Sequence, residues 1–251
     1  MRHPMLVLIL APWLTSPAQA DCIARTNGLH HVLVELYTSE GCSSCPPADA
    51  WLSKLASHDV ANRIVPIGFH VDYWDSLGWP DRFAQPAFTQ RQQHAARQAD
   101  ERTIYTPQIR IDGTAASFWP GRDRQLSRAL TKPAGADITL TARPLQTGWQ
   151  LVISGYAPIP SQLYVVTTTS GLTSRIVAGE NQGRQLVHDH VARQLLGPMT
   201  IPFGRFSQAI NLPADHVTPP ATAVAFLQKP TGNDIIQAIQ LRLCAHSVAM
   251  K

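Results

Sequence analysis

Beyond residue 20 the chain has no uninterrupted apolar stretch of the roughly eighteen residues that a membrane helix needs, which excludes an internal helical span. Charge is also scarce. Charged residues make up 15% of the chain, against the usual quarter or so, and the formal net charge of +4 is scattered. No Lys/Arg run and no alternation of aromatic with basic residues is present, so nucleic acid is not an expected partner. The single CxxC has no second CxxC and no nearby HxxxH to complete a zinc site. No short internal repeat is present. Proline, by contrast, is abundant, with 20 residues, as suits a turn-rich exported fold.

Residues 1–20 read as a signal peptide. Arg2 and His3 precede the apolar stretch Met5 to Leu14, and Ala18-Gln19-Ala20 offers small residues at the cleavage positions. Cys22 is second after that cut rather than first, which argues against a lipid-modified N-terminal cysteine. The expected location is therefore periplasmic or secreted, with no integral membrane segment once the signal is removed. In such a compartment disulfides persist, and all four cysteines can pair. Pairing Cys42 with Cys45 leaves Cys22 with Cys244, a structural disulfide clasping the ends of the mature chain. The chain-entropy estimate for so long a loop is about 5 kcal/mol, as an upper figure.

The segment Gly41-Cys42-Ser43-Ser44-Cys45-Pro46-Pro47 follows the strand-like run Val32 to Tyr37 and precedes the helix-like run Ala48 to Ala56. Two thiols thus stand one turn apart at a strand-to-helix junction. Unpaired N–H groups and the positive end of the helix dipole favour a thiolate there. Cys42 is the expected nucleophile, and Cys45, one turn on and more enclosed, the resolving thiol. Pro46 and Pro47 fit a first turn, where a missing N–H costs little. A structural bridge and half of a metal site remain open on these residues alone.

Strand-like Ile64 to Val71 follows the helix, so strand, helix and strand predict a right-handed parallel crossover. A loop from Asp72 to Pro86 leads to a polar-faced helix over Ala87 to Arg102. Asp112-Gly113, between two short alternating runs, predicts a hairpin after Thr106-Pro107, and Asp123 to Leu130 a short helix. After Thr131-Lys132-Pro133-Ala134-Gly135 the texture changes. Ile138 to Ala142, Trp149 to Gly155, Leu163 to Thr168, Gln208 to Leu212, Ala221 to Leu227 and Ile235 to Leu243 are strand-like runs separated by turn residues. The expected architecture is an α/β domain over 21–132 and a mainly antiparallel β-sandwich domain over 136–251.

The order CxxC, helix, Thr106-Pro107, hairpin and last helix resembles the thioredoxin fold. That resemblance implies a cis proline, Pro107, facing the CxxC across a substrate groove. A closer likeness is carried by Val34 to Asp49, by Phe69-His70-Val71-Asp72-Tyr73-Trp74-Asp75 with Leu77-Gly78-Trp79, by Tyr105-Thr106-Pro107-Gln108, and by Gly179-Glu180-Asn181 with Gly183-Arg184. On these motifs the sequence resembles the exported bacterial family labelled domain of unknown function 1223. Glu35 stands near where thioredoxin-like proteins carry a buried acid, which would move protons to and from the resolving cysteine.

His70, Asp72, Tyr73 and Trp74 leave the carboxyl end of the second strand, where α/β sheets place their sites, and with Thr106 they could line a substrate groove. Packing as a satellite core is the competing role for the aromatics. His188 and His190 alternate as on one face of a strand, at solvated positions. The leading expectation is a thiol-disulfide oxidoreductase acting on protein or small-molecule thiols and disulfides, with Cys42, Cys45, Pro107 and Glu35 as catalytic residues. Such exchange needs no cofactor. The alternatives are a copper-type metal-binding or delivery protein using Cys42, Cys45 and His70, and a binding module with a permanent CxxC bridge.

Overall fold

Parallel pairing of β2 (Val32–Thr38) with β3 (Ile64–His70), joined through α1 (Pro46–His58), forms the frame of the first half. The computed structural model describes residues 21–58, 62–116, 121–214 and 220–244. The proposed signal peptide over 1–20 lies outside them. Both strands are buried along their whole length, as their continuous apolar runs require of strands covered on two faces. Val32, Val34 and Leu36 pack with Ala48, Trp51, Leu52 and Leu55 of α1. Leu33 and Tyr37, with Val65, Ile67 and Phe69, pack on the other face with Phe88 of α2 (Pro86–Gln98). Helix α2 is shorter than its sequence pattern because Asp100 turns to φ +54°.

β4 (Gln108–Ile111) runs antiparallel to β2, and β5 (Thr114–Ala115) folds back on β4. Asp112 and Gly113 both take positive φ, the two-residue turn that Asp-Gly favours. Gly113 has a second reason to be glycine, since a Cβ there would overlap the Asn233 carbonyl. Helix α3 (Gly121–Ala129) is joined to α1 by a hydrogen bond from Trp51 Nε1 to Asp123 Oδ1 of 3.0 Å.

The remainder is mostly β, as its turn-separated runs predict: β6 (Asp137–Leu145), β7 (Gly148–Ala157), β8 (Ser161–Thr169), β9 (Leu172–Arg175), β10 (Gln185–His188), β11 (Val191–Ile201), β12 (Gly204–Leu212), β13 (Ala221–Gln228) and β14 (Ile235–Arg242). A short β1 (Cys22–Arg25) pairs with β6, giving a four-stranded sheet in the order β1-β6-β7-β12. That sheet buries Leu140, Leu151 and Ile153 against Leu163, Ala225 and Leu227 of a second sheet. The second sheet is continuous with the first half, in the order β14-β13-β8-β11-β3-β2-β4-β5. Its seam is narrow: β11 meets β3 in parallel at Val191 and Gly68, and the Gly68 N–H donates to the His190 carbonyl at 2.8 Å. Strands β9 and β10 form a separate hairpin.

All four cysteines are paired, Cys22 with Cys244 and Cys42 with Cys45. The first pair ties β1 to Cys244, two residues beyond the end of β14. Among the described residues no helix is long and apolar enough to cross a membrane.

Candidate functional site

The candidate site residues gather at the carboxyl ends of β2 and β3. Strand alternation sends Thr38 and His70 to the α1 face, and the chain between Thr38 and α1 holds Glu40 and the CxxC. The Cys45 carbonyl accepts the N–H groups of Ala48 and Asp49 at 2.8 and 3.1 Å, so Cys45 begins the helical hydrogen bonding. Cys42 Sγ lies 3.4 Å from Ser44 Oγ. Ser43 and Ser44 are exposed, yet both sulfur-bearing residues are wholly buried, at 0% for Cys42 as well as Cys45. The expected contrast between an open Cys42 and an enclosed Cys45 is therefore absent in the disulfide form.

The Thr106–Pro107 bond is cis. Because Tyr37 is registered opposite Gln108, Pro107 comes level with Thr38, on the sheet edge from which the CxxC loop departs. Trp74 connects the two: its Nε1 donates to Thr106 Oγ1 at 2.7 Å, and a Cβ on Gly41 would lie 3.3 Å from Trp74 Cβ. Thr106 is thus linked through Trp74 to the neighbourhood of Gly41, the residue before Cys42. Tyr73 and Trp74 also pack, partly buried, against the α2-side core. Asp72 turns away, accepting from Thr89 Oγ1 at 2.5 Å.

Glu35 is not brought to the cysteines. It shares the α2 face with Leu33 and Tyr37, accepts from Arg91 Nε at 2.6 Å and from the Tyr37 hydroxyl at 3.3 Å, and is 2% exposed. The one-residue alternation of a strand decides this, since neighbours on β2 face opposite layers. The buried carboxylate on the α1 face is Asp49, one turn beyond Cys45.

Around Asp49 lies a cluster of buried polar groups. His70 Nδ1 is 2.6 Å from Asp81 Oδ2, and His188 Nε2 is 3.3 Å from Glu40 Oε1 without hydrogen-bond alignment. Trp79 Nε1 donates to Glu40 Oε2 at 2.8 Å. The two imidazoles meet edge to face, with Phe83 against both. His188 is therefore buried at the end of β10, at 3% exposure, rather than solvated, and His190 sits in the turn after it at φ +56°. Burial pushes the Asp49 carboxyl up, against the pull of His70 and His188. An acid raised in the fold costs stability once the unfolded chain ionises, so Asp49→Asn should raise the urea midpoint increasingly as pH climbs above about 4. A gain equal at acid and neutral pH in denaturation curves would count against this.

The second half closes the site. Asn181, wholly buried, donates from Nδ2 to the carbonyls of Glu40 and Cys42, both at 2.9 Å, and Glu180 Oε2 accepts the Ser43 N–H at 3.1 Å. Among the described residues no three His, Cys, Asp or Glu side chains are grouped to hold a metal ion. Sequence reasoning missed Glu40, Asp49, Asp81, Glu180 and Asn181. For Asp49 a signal existed, its four-residue spacing from Cys45 on one helix face. Glu40, Glu180 and Asn181 lie in the quoted family motifs, but their partners are distant in sequence, as are those of Asp81.

Two solved structures share the fold. A crystal structure of a protein from Agrobacterium tumefaciens matches at TM-score 0.66 and 24% identity, covering 86% of this chain and 97% of that one. HBP35 of Porphyromonas gingivalis matches at TM-score 0.68 and 15% identity, covering 89% of this chain and 79% of that one. No curated protein matches the sequence significantly. The model of the family described as protein of unknown function (DUF1223) matches residues 33–228, across the CxxC, the Trp74 loop and the Glu180-Asn181 turn, and the chain belongs to that family.

Proposed function

We propose that the protein is an exported, thioredoxin-like thiol-disulfide oxidoreductase that works through the Cys42–Cys45 pair. The observation that carries this reading is the position of the disulfide, at the first turn of α1 with Pro107 level with the start of its loop. The parallel β2-α1-β3 crossover with antiparallel β4 and β5 and a closing helix supports the thioredoxin-like part of it. Two disulfides support a periplasmic or secreted location. In the reducing direction, Cys42 thiolate attacks one sulfur of a partner disulfide and expels the other as thiolate. Cys45 then gives up its proton and attacks Cys42, which releases the second partner thiolate, and two electrons have passed to the partner. Protein or small-molecule thiols and disulfides are the partners, and no cofactor enters.

Replacing Cys45 with Ala removes the resolving thiol and should leave mixed disulfides on Cys42 in extracts of the exported fraction. The intact protein should reduce an insulin-type disulfide. Absence of both defeats the reading. Complete burial of the pair favours one competing role, a permanent structural bridge within a binding module. A measured reduction potential below about −300 mV, as structural disulfides have, would support that role instead.

A further inference from the structure

The CxxC loop is held from three sides, and one side comes from the other half of the chain. The turn over residues 176–184 is ordered by its own backbone, with the Ile176 and Gly183 N–H groups donating to the Arg184 and Ile176 carbonyls at 2.9 Å, and the Arg184 N–H to the Asn181 carbonyl at 3.1 Å. From that small scaffold Asn181 grips the carbonyls on both sides of Gly41, and Glu180 receives the next N–H, that of Ser43. Three points of the redox loop are therefore fixed by two adjacent residues more than a hundred positions away.

The same turn fits against the Trp74 loop without spare room. Gly179 approaches Gly78, and a Cβ on Gly179 would stand 3.1 Å from Trp79 Cβ. Gly179 also has φ +72°, so a larger residue there is disfavoured twice. Beneath, the Glu40 N–H is held by Asp81 Oδ2 at 2.8 Å. With these contacts made, Cys42 has no exposed surface. A thiolate must reach Sγ in line with the disulfide bond, and an enclosed sulfur does not react until its surroundings move.

We infer that Asn181 and Glu180 are positioning residues that hold the Cys42-Ser43 peptide closed and thereby set how readily Cys42 exchanges. Release of the two Asn181 bonds and the Glu180 bond frees the loop, while the buried Oδ1 of Asn181, which has no hydrogen-bond partner, leaves the amide held by its donors alone. The gate consists of weak, neutral or singly charged hydrogen bonds, a type that a docking partner can replace. For its meaning in the cell this inference rests on the exchange reading above, but the two fail in different experiments.

The test uses the full oxidised chain and a small dithiol, dithiothreitol, with timed alkylation and peptide mapping of both disulfides. Dithiol thiolate attacks Cys42 Sγ, Cys45 leaves as thiolate and is protonated, and the second dithiol sulfur closes on the first to release Cys42, so the dithiol is oxidised as the protein pair is reduced. Asn181→Ala should speed reduction of Cys42–Cys45 by about tenfold or more, because two hydrogen bonds are lost. Asn181→Asp, which keeps the shape but lacks the donors, should match it. Glu180→Ala, at an exposed position, should accelerate by about two- to fivefold. Cys22–Cys244, in the same molecule, should be reduced at the wild-type rate throughout.

Unchanged reduction of Cys42–Cys45 in these variants overturns the inference. So does an equal acceleration of both disulfides, which would mean general loosening of the fold. Should the Asn181 variants fail to fold, the Glu180→Ala comparison decides alone. A protein that traps no partner through Cys42 but still shows selective acceleration would lose the exchange reading and keep the gate.

Discussion

Arg91→Met is expected to lower the unfolding free energy by about 3–5 kcal/mol, the cost of leaving one member of a buried ion pair alone. Glu35 is 2% exposed and accepts from Arg91 Nε and the Tyr37 hydroxyl. The Arg91 guanidinium is better supplied. It lies over the Tyr164 and Phe226 rings at 4.9 and 4.8 Å and donates to Gln228 Oε1 at 3.4 Å. The Glu35 carboxylate and nearby tyrosines hold the Arg91 guanidinium in its charged form despite its burial. Glu35→Gln should therefore cost less than Arg91→Met, since the aromatic faces still accept the cation. The double variant should cost less than the sum of the two, because neither charge is then stranded. Urea denaturation of the three variants checks this order. Equal losses for both single variants, or strict additivity, would mean that the pair does not act as a unit.

The same geometry separates Glu35 from thiol chemistry. Its face of β2 belongs to α2, and the cysteines belong to α1. Glu35→Gln should thus weaken the fold while leaving the pH dependence of disulfide exchange unchanged, whereas Asp49 stands on the cysteine side. A pH profile displaced by Glu35→Gln, measured under conditions where the variant stays folded, would restore the carboxylate to the thiol mechanism.

Local chemistry made much of this legible. The continuous apolar runs of β2 and β3, the Asp112-Gly113 turn and the CxxC at a strand-to-helix junction each write their structure into a few adjacent residues. Strand β1 was hidden because four residues, Cys22-Ile23-Ala24-Arg25, carry too little pattern to distinguish a short strand from a loop. Strand β11 was hidden for another reason. Gly197-Pro198 interrupts it, and Pro lacks the N–H of a regular ladder, so the run reads as broken although the register shifts by a bulge and resumes at Met199. Its parallel contact with β3 at Val191, which merges the halves into one sheet, depends on residues far apart in the chain and leaves no periodic trace. The site divides in the same way. Cys42, Cys45, Thr106 and His70 could be found from spacing and motif. Asp81, His188 and Asn181 gain their places only when distant segments meet, and His188 in particular lies in an alternating polar run that looks solvated.

Wild-type stability should fall as pH rises past the ordinary histidine range, and Asp81→Asn should remove most of that fall. Desolvation opposes the charge on His70, but Asp81 at 2.6 Å, aided by Asp49 and Glu40, overcomes it and raises the imidazole above its ordinary 6.5. A raised histidine stabilises the fold fully below its unfolded value, and that contribution is lost as pH climbs through the folded value. His70 in turn holds the Asp81 carboxyl below its ordinary 3.8, with the Glu40 and Phe83 N–H groups adding to it. A lowered carboxylate contributes above its unfolded value and loses that contribution as pH falls through the folded value. Together the pair stabilises most between about 3.8 and 6.5. Asp49, whose carboxyl burial pushes up, adds a loss of the same sign that begins as pH rises past its ordinary 3.8. Asp81→Asn leaves a buried imidazolium without its counter-charge and should cost about 3–5 kcal/mol near pH 5 and less near pH 8, where the imidazole can be neutral. Because Asp81 Oδ2 also holds the Glu40 N–H, this variant should loosen the CxxC loop from below as well. Urea denaturation in steps from about pH 4 to about pH 9 measures both curves. Parallel curves for wild type and Asp81→Asn across that range would show that His70 is neutral in the fold, and the buried cluster would then contribute no charge beneath the disulfide.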